Sequence, residues 1–311
     1  EITIWQLSSY IIAPDFPTGG IIYGYDGVRK AFETGRGRVV VRGRAVIEPM
    51  PGSNRERIVV TEIPYQVNKA LLVQKVADLV NEKRIEGISE IRDESDRKGM
   101  SIIFELKRDA NPNVVLNQLY NYTPLQSSFG VNNVCLVAGR PRLLNLKELI
   151  TYFVEFRHEV VIKRTEFDLR KAAARAHILE GLLKALDHLD EIIKLIRASQ
   201  TPEEAKSGLI SQFSFSDIQA QEILNMRLQR LTGLERDKLK KEYAEVMEKI
   251  DYFNQVLSSE ELRMNIIKEE LIEVRDKYGD KRRTEVVFAD SDISLEDIIE
   301  REQVVVAISH L

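Results

Sequence analysis

Cysteine is almost absent from this chain. Cys135 is the one thiol among 311 residues, so no internal disulfide can form. It sits in the apolar run Val134-Cys135-Leu136-Val137 and reads as a small packed hydrophobe rather than a reactive thiol. Such usage fits a reducing compartment, and a cytoplasmic location is expected. No run of ~18 apolar residues occurs, so no membrane span is expected, and no secretory leader is visible. The four histidines, His158, His177, His188 and His310, are scattered with no cysteine cluster beside them, so no metal site is expected. No glycine-rich loop follows a strand in the way a phosphate cradle requires; Gly19-Gly20 and Gly35-Arg36-Gly37 lack that context. The chain itself is therefore expected to hold no cofactor. A net charge of -4 and a pI near 5.8 exclude a wholly basic nucleic-acid binder. Any contact with a polyanion has to be local.

One such locality exists. Between Val28 and Lys69 nine Lys/Arg stand against four Asp/Glu. Residues 38–48 read as a strand, and alternation puts Arg38, Arg42 and Arg44 on one face with Val39, Val41 and Ala45 on the other. Pro49, Pro51, Gly52 and Asn54 make a turn, and residues 57–63 return as the second strand of a hairpin. The reversal of charge in an acidic chain points to nucleic acid.

With 43% hydrophobic and 30% charged residues, the chain can build real cores, and its length predicts two or three units. Residues 1–144 mix strands and helices in an α+β lobe. Its helices are expected at 3–12, 28–33, 69–85 and 113–119, and its later strands at 101–107 and 131–137. From Asn145-Leu146-Lys147-Glu148, a capping box, helical sequence runs to about 199. Leu179, Leu182, Leu186, Leu189, Ile193 and Ile196 form a heptad seam there. A second seam, Leu239, Tyr243, Val246, Ile250, Phe253 and Leu257, lies in residues 234–278. Each rod needs a partner along one stripe, which predicts a long antiparallel two-helix coiled coil. Residues 200–233 between the rods predict a small all-α knob, opened by Thr201-Pro202-Glu203-Glu204 and Ser216-Asp217-Ile218-Gln219. Residues 279–311 read as a polar tail with a terminal strand near 304–309. The chain is expected to be a fragment of a larger polypeptide.

Several ordered motifs carry a resemblance. They are Asp15-Phe16-Pro17-Thr18-Gly19-Gly20, Thr34-Gly35-Arg36-Gly37 and Glu62-Ile63-Pro64-Tyr65-Gln66-Val67-Asn68-Lys69. Further along come Ala176-His177-Ile178-Leu179-Glu180-Gly181-Leu182, the run 222–235 from Glu222-Ile223-Leu224-Asn225 to Leu234-Glu235, and Asp280-Lys281-Arg282-Arg283-Thr284-Glu285. Together they resemble the A subunit of the bacterial type IIA DNA topoisomerases, the gyrase branch more than the topoisomerase IV branch.

The resemblance implies a tower lobe that supports bent duplex DNA, with Arg36, Arg38, Arg42, Arg44 and Lys69 on its phosphates. It implies a homodimeric exit gate at the knob, burying Ile223, Leu224, Met226 and Leu228 across a twofold axis. It also implies an A2B2 assembly that supercoils DNA, with ATP and Mg2+ used by the B subunit; decatenation is the alternative for the topoisomerase IV branch. The family's nucleophile is the tyrosine of an Arg-Tyr-Thr motif in a winged-helix domain. None of the ten tyrosines here has that context, so no catalytic residue is assigned. The resemblance begins after the winged helix and stops at the first strand of a C-terminal DNA-wrapping domain. A rival reading of the rods is a non-enzymatic coiled-coil scaffold.

Overall fold

A computed structural model describes residues 2–97, 99–227, 233–288 and 294–299. The chain divides into two compact units, one of residues 1–152 with 280–311 and the other of residues 153–279.

The first unit opens on α1 (Ile4–Ser8), set by a Thr3 capping box and shorter than the helix expected to residue 12. It holds two four-stranded sheets. In one, β1 (Ile21–Tyr23), β2 (Arg36–Arg42), β7 (Gln126–Asn132) and β10 (Glu285–Val287) lie in the order β10-β1-β2-β7. Only the β1–β10 pair is parallel. Val39 and Val41 point to one side, where Ile22 and the buried face of α2 (Asp26–Thr34), with Val28 and Phe32, close a core. The other sheet takes β3 (Arg44–Pro49), β4 (Glu56–Glu62), β5 (Ile88–Asp93) and β6 (Ile102–Leu106) in the order β3-β4-β6-β5. Alternate residues Ile58, Val60, Ile102, Phe104 and Leu106 meet α3 (Lys69–Asn81) and α4 (Pro112–Tyr122) in its core. A separate hairpin pairs β8 (Val134–Val137) with β9 (Arg140–Leu143).

The arginine strand expected over 38–48 is therefore two strands in two sheets. Gly43 is the corner. Its N–H donates to Leu125 O at 2.7 Å and its carbonyl accepts from the Tyr120 hydroxyl at 3.0 Å. A Cβ there would lie 2.6 Å from Glu62 O and from Leu125 Cδ1, so the chain can switch sheets only with glycine. Residues 88–93, where the sequence predicts no strand, are strand β5, an edge strand whose alternating polar residues conceal its pairing.

Two motifs distant in sequence form a clasp that closes this unit. Thr284 N–H donates to Asp15 Oδ1 at 2.8 Å, and Phe16 N–H donates to Thr284 Oγ1 at 2.8 Å. Thr284 Oγ1 donates to Gly19 O at 3.2 Å, and Arg282 Nη1 to Pro14 O at 2.8 Å. The clasp sets the parallel pairing of β1 with β10. Burial pushes the Asp15 carboxyl up, but donation from Thr284 and Arg283 and the Arg282 charge outweigh it and hold it below its ordinary value. Its stabilising effect is therefore present above the unfolded carboxylate range, ~3.9, and is lost as pH falls through the lower folded value. Asp15→Ala is expected to lower the melting temperature at neutral pH and to flatten its fall in acid. Melting curves from neutral pH into the acid limb check this; an acid limb as steep as in the unaltered chain would contradict it. Thr284 is 1% exposed, and Thr284→Val should cost about 1–3 kcal/mol.

In the second unit, α5 (Leu146–Asp187) is 42 residues long, roughly 63 Å, and its residues from 153 onward belong here. The first rod does not continue to 199. It breaks at His188 (φ -112°, ψ 31°), and α6 (Leu189–Ala198) turns Ile192, rather than the expected Ile193, into the core. The returning rod is likewise two helices, α9 (Gly233–Ser258) and α10 (Glu260–Tyr278), parted at Ser259, whose side chain caps α10. Arg263 stabilises that joint: Nη1 donates to the carbonyls of Val256 and Leu257 at 2.8 and 2.6 Å, and Nε donates to His158 at 2.8 Å.

Cross-links between α5 and the returning helices run antiparallel. Arg157 and Arg164 both reach Glu270, at 2.5 and 2.7 Å, Arg175 reaches Glu242 at 2.5 Å, and Arg236 reaches Asp187. Burial pushes the Glu270 carboxyl up, but its two arginines bring it below the usual value. Among the described residues no helix is long and apolar enough to cross a membrane.

Candidate nucleic-acid interface

Partners across β2 and β7 share a face. Arg36 lies opposite Asn132, Arg38 opposite Gly130, Val40 opposite Ser128 and Arg42 opposite Gln126. The face away from the α2 core thus carries Arg36, Arg38 and Arg42 in register, with Asn132 and Ser128 beside them. Arg36 and Arg38 are exposed, and neither forms an ion pair among the described residues. A Cβ built on Gly130, opposite Arg38, meets open space. This end of the face is open, short in side-chain bulk and positively charged.

The other three predicted cations are used within the fold. Arg42 is 8% exposed. Its guanidinium stacks 3.3 Å from the centroid of Tyr23 and 4.9 Å from that of Tyr120, while Nε donates to Gln126 at 2.5 Å. Alternation gave its face correctly; Tyr120, from α4, covers it. Arg44 lies on the other sheet and does not share the platform. Its Nη1 sits 3.0 Å from Glu285 and its Nε 3.4 Å from Glu62, whose carboxylate also accepts from Gly20 N–H at 2.5 Å. Burial pulls the Arg44 pKa down, but the two carboxylates leave it above its ordinary value.

Lys69 opens α3, where Asn68 caps the helix by accepting from Leu71 N–H at 3.2 Å. Its Nζ lies 2.6 Å from Asp93 and donates to Ser95 Oγ at 3.0 Å. The bonds from Lys69 and then Ser95 hold the Asp93 carboxyl at about 2. Of five predicted contacts, Arg36 and Arg38 are brought together and left open. The sequence reading missed Ser128 and Asn132; the signal for them was the alternation in 126–132 once that segment is recognised as a strand.

The knob is built on α7 (Pro202–Phe213) and α8 (Asp217–Leu224), packed on α5, α6 and the start of α9. The Ala176–Leu182 motif is the seat of α8. His177 Nε2 lies 2.7 Å from Ser216 Oγ, and Gln219 Nε2 donates to His177 O at 2.7 Å and lies 3.3 Å from His177 Nδ1. Of the predicted dimer contacts, Ile223 is 3% exposed and packs in the knob's own core beside Leu179 and Leu209. In this arrangement it is a core residue, covered before any second copy could reach it. Leu224 and Met226 are half-buried at the rim of that cluster, and Leu228 lies outside the described residues. Helix α8 ends at Leu224. Among the described residues, no group of three His, Cys, Asp or Glu side chains is placed to hold a metal ion.

A two-sheet α+β lobe, a long helix cross-linked to returning helices, and the ordered sequence motifs they carry define a type IIA topoisomerase A-subunit class. The chain belongs to the DNA gyrase/topoisomerase IV A-subunit family, whose model matches residues 1–272. Over its whole length it is 53% identical to the DNA gyrase A subunit of Clostridium acetobutylicum. It is 51% identical to the proteins of the same name from Halalkalibacterium halodurans and Staphylococcus aureus. It spans 37%, 37% and 35% of those three relatives, about a third of their length.

Proposed function

We propose that this chain is the DNA-supporting lobe, stalk and gate of a type IIA topoisomerase A subunit of the gyrase branch. The observation that carries the reading is the open pair Arg36 and Arg38 on the outer face of the first sheet, in a chain half identical to gyrase A subunits. Phosphate contacts from two guanidiniums position a duplex without reading its sequence. The helices linked by Arg157, Arg164 and Arg175 act as a coiled-coil stalk, and the knob meets a second copy. The whole enzyme is an A2B2 complex in the cytoplasm. Its B subunit uses ATP and Mg2+, and it supercoils DNA.

Duplex binding by the 311-residue chain tests this. The phosphate contacts of Arg36 and Arg38 contribute about -1.8 to the log–log salt slope, and so at least roughly tenfold weaker binding on going from 50 to 200 mM salt. The affinity should not depend on base sequence. Denaturant added at the end should trap no covalent adduct, because no tyrosine here stands in an Arg-Tyr-Thr context. Binding that ignores salt, or a trapped adduct, would contradict the proposal.

The knob contact has its own readout. Sedimentation equilibrium should show a dimer at micromolar concentration and a monomer for Leu228→Asp. A folded Leu228→Asp chain that stays dimeric would remove the gate from the proposal.

A further inference from the structure

The β8–β9 hairpin is unusual in what it leaves uncovered. Val134 pairs with Leu143 and Leu136 with Pro141, so these four apolar side chains share one face. Val134, Leu136 and Leu143 are 51%, 76% and 39% exposed. The opposite face pairs Cys135 with Arg142 and Val137 with Arg140. A two-stranded ribbon is marginal in water unless something packs on it. Its turn is tightly set, with Ala138 and Gly139 both left-handed at φ 49° and 76°.

The root of the ribbon adjoins the open end of the arginine platform. Asn133 N–H donates to Gly35 O at 2.9 Å, and Leu144 N–H donates to Asn133 O at 3.0 Å. Gly35 immediately precedes Arg36, and Arg36 pairs with Asn132. The charge on this segment has one sign: no Asp or Glu occurs between Asp109 and Glu148. Arg140 and Arg142 are exposed and have no carboxylate partner among the described residues; the Arg142 guanidinium donates to the Tyr152 hydroxyl at 3.3 Å.

We infer that the β8–β9 ribbon is part of the DNA-binding surface. Arg140 and Arg142 extend the phosphate contacts of Arg36 and Arg38, and the Val134–Leu136–Pro141–Leu143 face packs against the duplex groove. Four exposed guanidiniums without a carboxylate partner among the described residues fit a polyanion. A ribbon with one apolar face and two arginines on the other fits the groove of a bent duplex, where wedge side chains pack against or between base steps. This inference rests on the proposed function and deepens it.

The test is fluorescence-anisotropy titration of a duplex of arbitrary sequence, about four helical turns long, with the 311-residue chain over a range of salt. Arg140→Ala/Arg142→Ala should flatten the salt slope by about 1.8, and Arg140→Lys/Arg142→Lys should restore it. Leu136→Ser should weaken binding roughly tenfold with the slope unchanged. All positions are exposed, and equal melting temperatures establish that the variants are folded. If the hairpin variants bind as the unaltered chain does while Arg36→Ala/Arg38→Ala flattens the slope, the ribbon inference fails and the platform stands. If neither set changes the slope, both fail. Loss of self-association in sedimentation with DNA binding intact would make the ribbon a contact between copies and overturn the inference.

Discussion

Replacing Gly181 by leucine is expected to unseat α8 and open the knob core. A Cβ on Gly181 would lie 2.6 Å from Gln219 Cγ and 2.9 Å from both Gln219 Cβ and Cδ. Glycine inside a helix costs about 1 kcal/mol relative to alanine, so its presence in α5 marks a close approach that packing demands. Gln219 is 7% exposed, and its amide is satisfied by the His177 carbonyl and the Ser216 capping box. Pushing it out forfeits those buried bonds, about 1–3 kcal/mol, and overpacking adds about 1–3 kcal/mol more. Hydrogen exchange is the direct measurement. Amides in 177–224 should lose protection by a factor reflecting at least ~2 kcal/mol, while those in 58–106 keep theirs. Unchanged exchange in 177–224 would show that α8 is not seated through this contact.

Phe104→Ala should produce the comparable loss in the first unit. Phe104 is 1% exposed on β6, and the cluster around it takes residues from β4, β5, α3 and α4. Removing a buried phenylalanine leaves a cavity and costs about 3–5 kcal/mol, a large part of a domain's total stability. Urea denaturation followed by circular dichroism reads this as a lower midpoint. A loss below about 1 kcal/mol would mean that the two helices collapse onto the sheet without it.

These two positions also illustrate what the sequence makes legible. The β3–β4 hairpin shows itself through Pro51-Gly52 between two alternating runs. Helix α3 shows itself through Leu72, Val76 and Leu79 at helical spacing behind the Asn68 cap. The seam residues Leu179, Leu182 and Leu186 do line the second unit's core. What escapes is whatever depends on a distant partner. Alternation puts Arg42 beside Arg38, but only Tyr120, on another helix, decides that Arg42 is covered. The Asp15 and Thr284 motifs are each recognisable, yet nothing local reveals that they bond to each other. The rods carry no proline or glycine at their breaks. Ile192 turning into the knob core and Arg263 capping the end of α9 are tertiary effects that override an unbroken helical pattern.

The distinction between open and internally bonded arginines is the centre of the account, and one comparison tests it. Salt-dependent duplex binding and thermal melting are measured together for Arg36→Ala/Arg38→Ala and for Arg42→Ala/Arg44→Ala. The first pair should flatten the salt slope by about 1.8 and leave melting unchanged, because those side chains are exposed and form no ion pair among the described residues. The second pair should lower the melting temperature and leave the slope unchanged, because Arg42 stacks on two tyrosines and Arg44 bridges Glu62 and Glu285. The reverse pattern, a flattened slope from the second pair and none from the first, would contradict the account and move the DNA off the outer face of the first sheet.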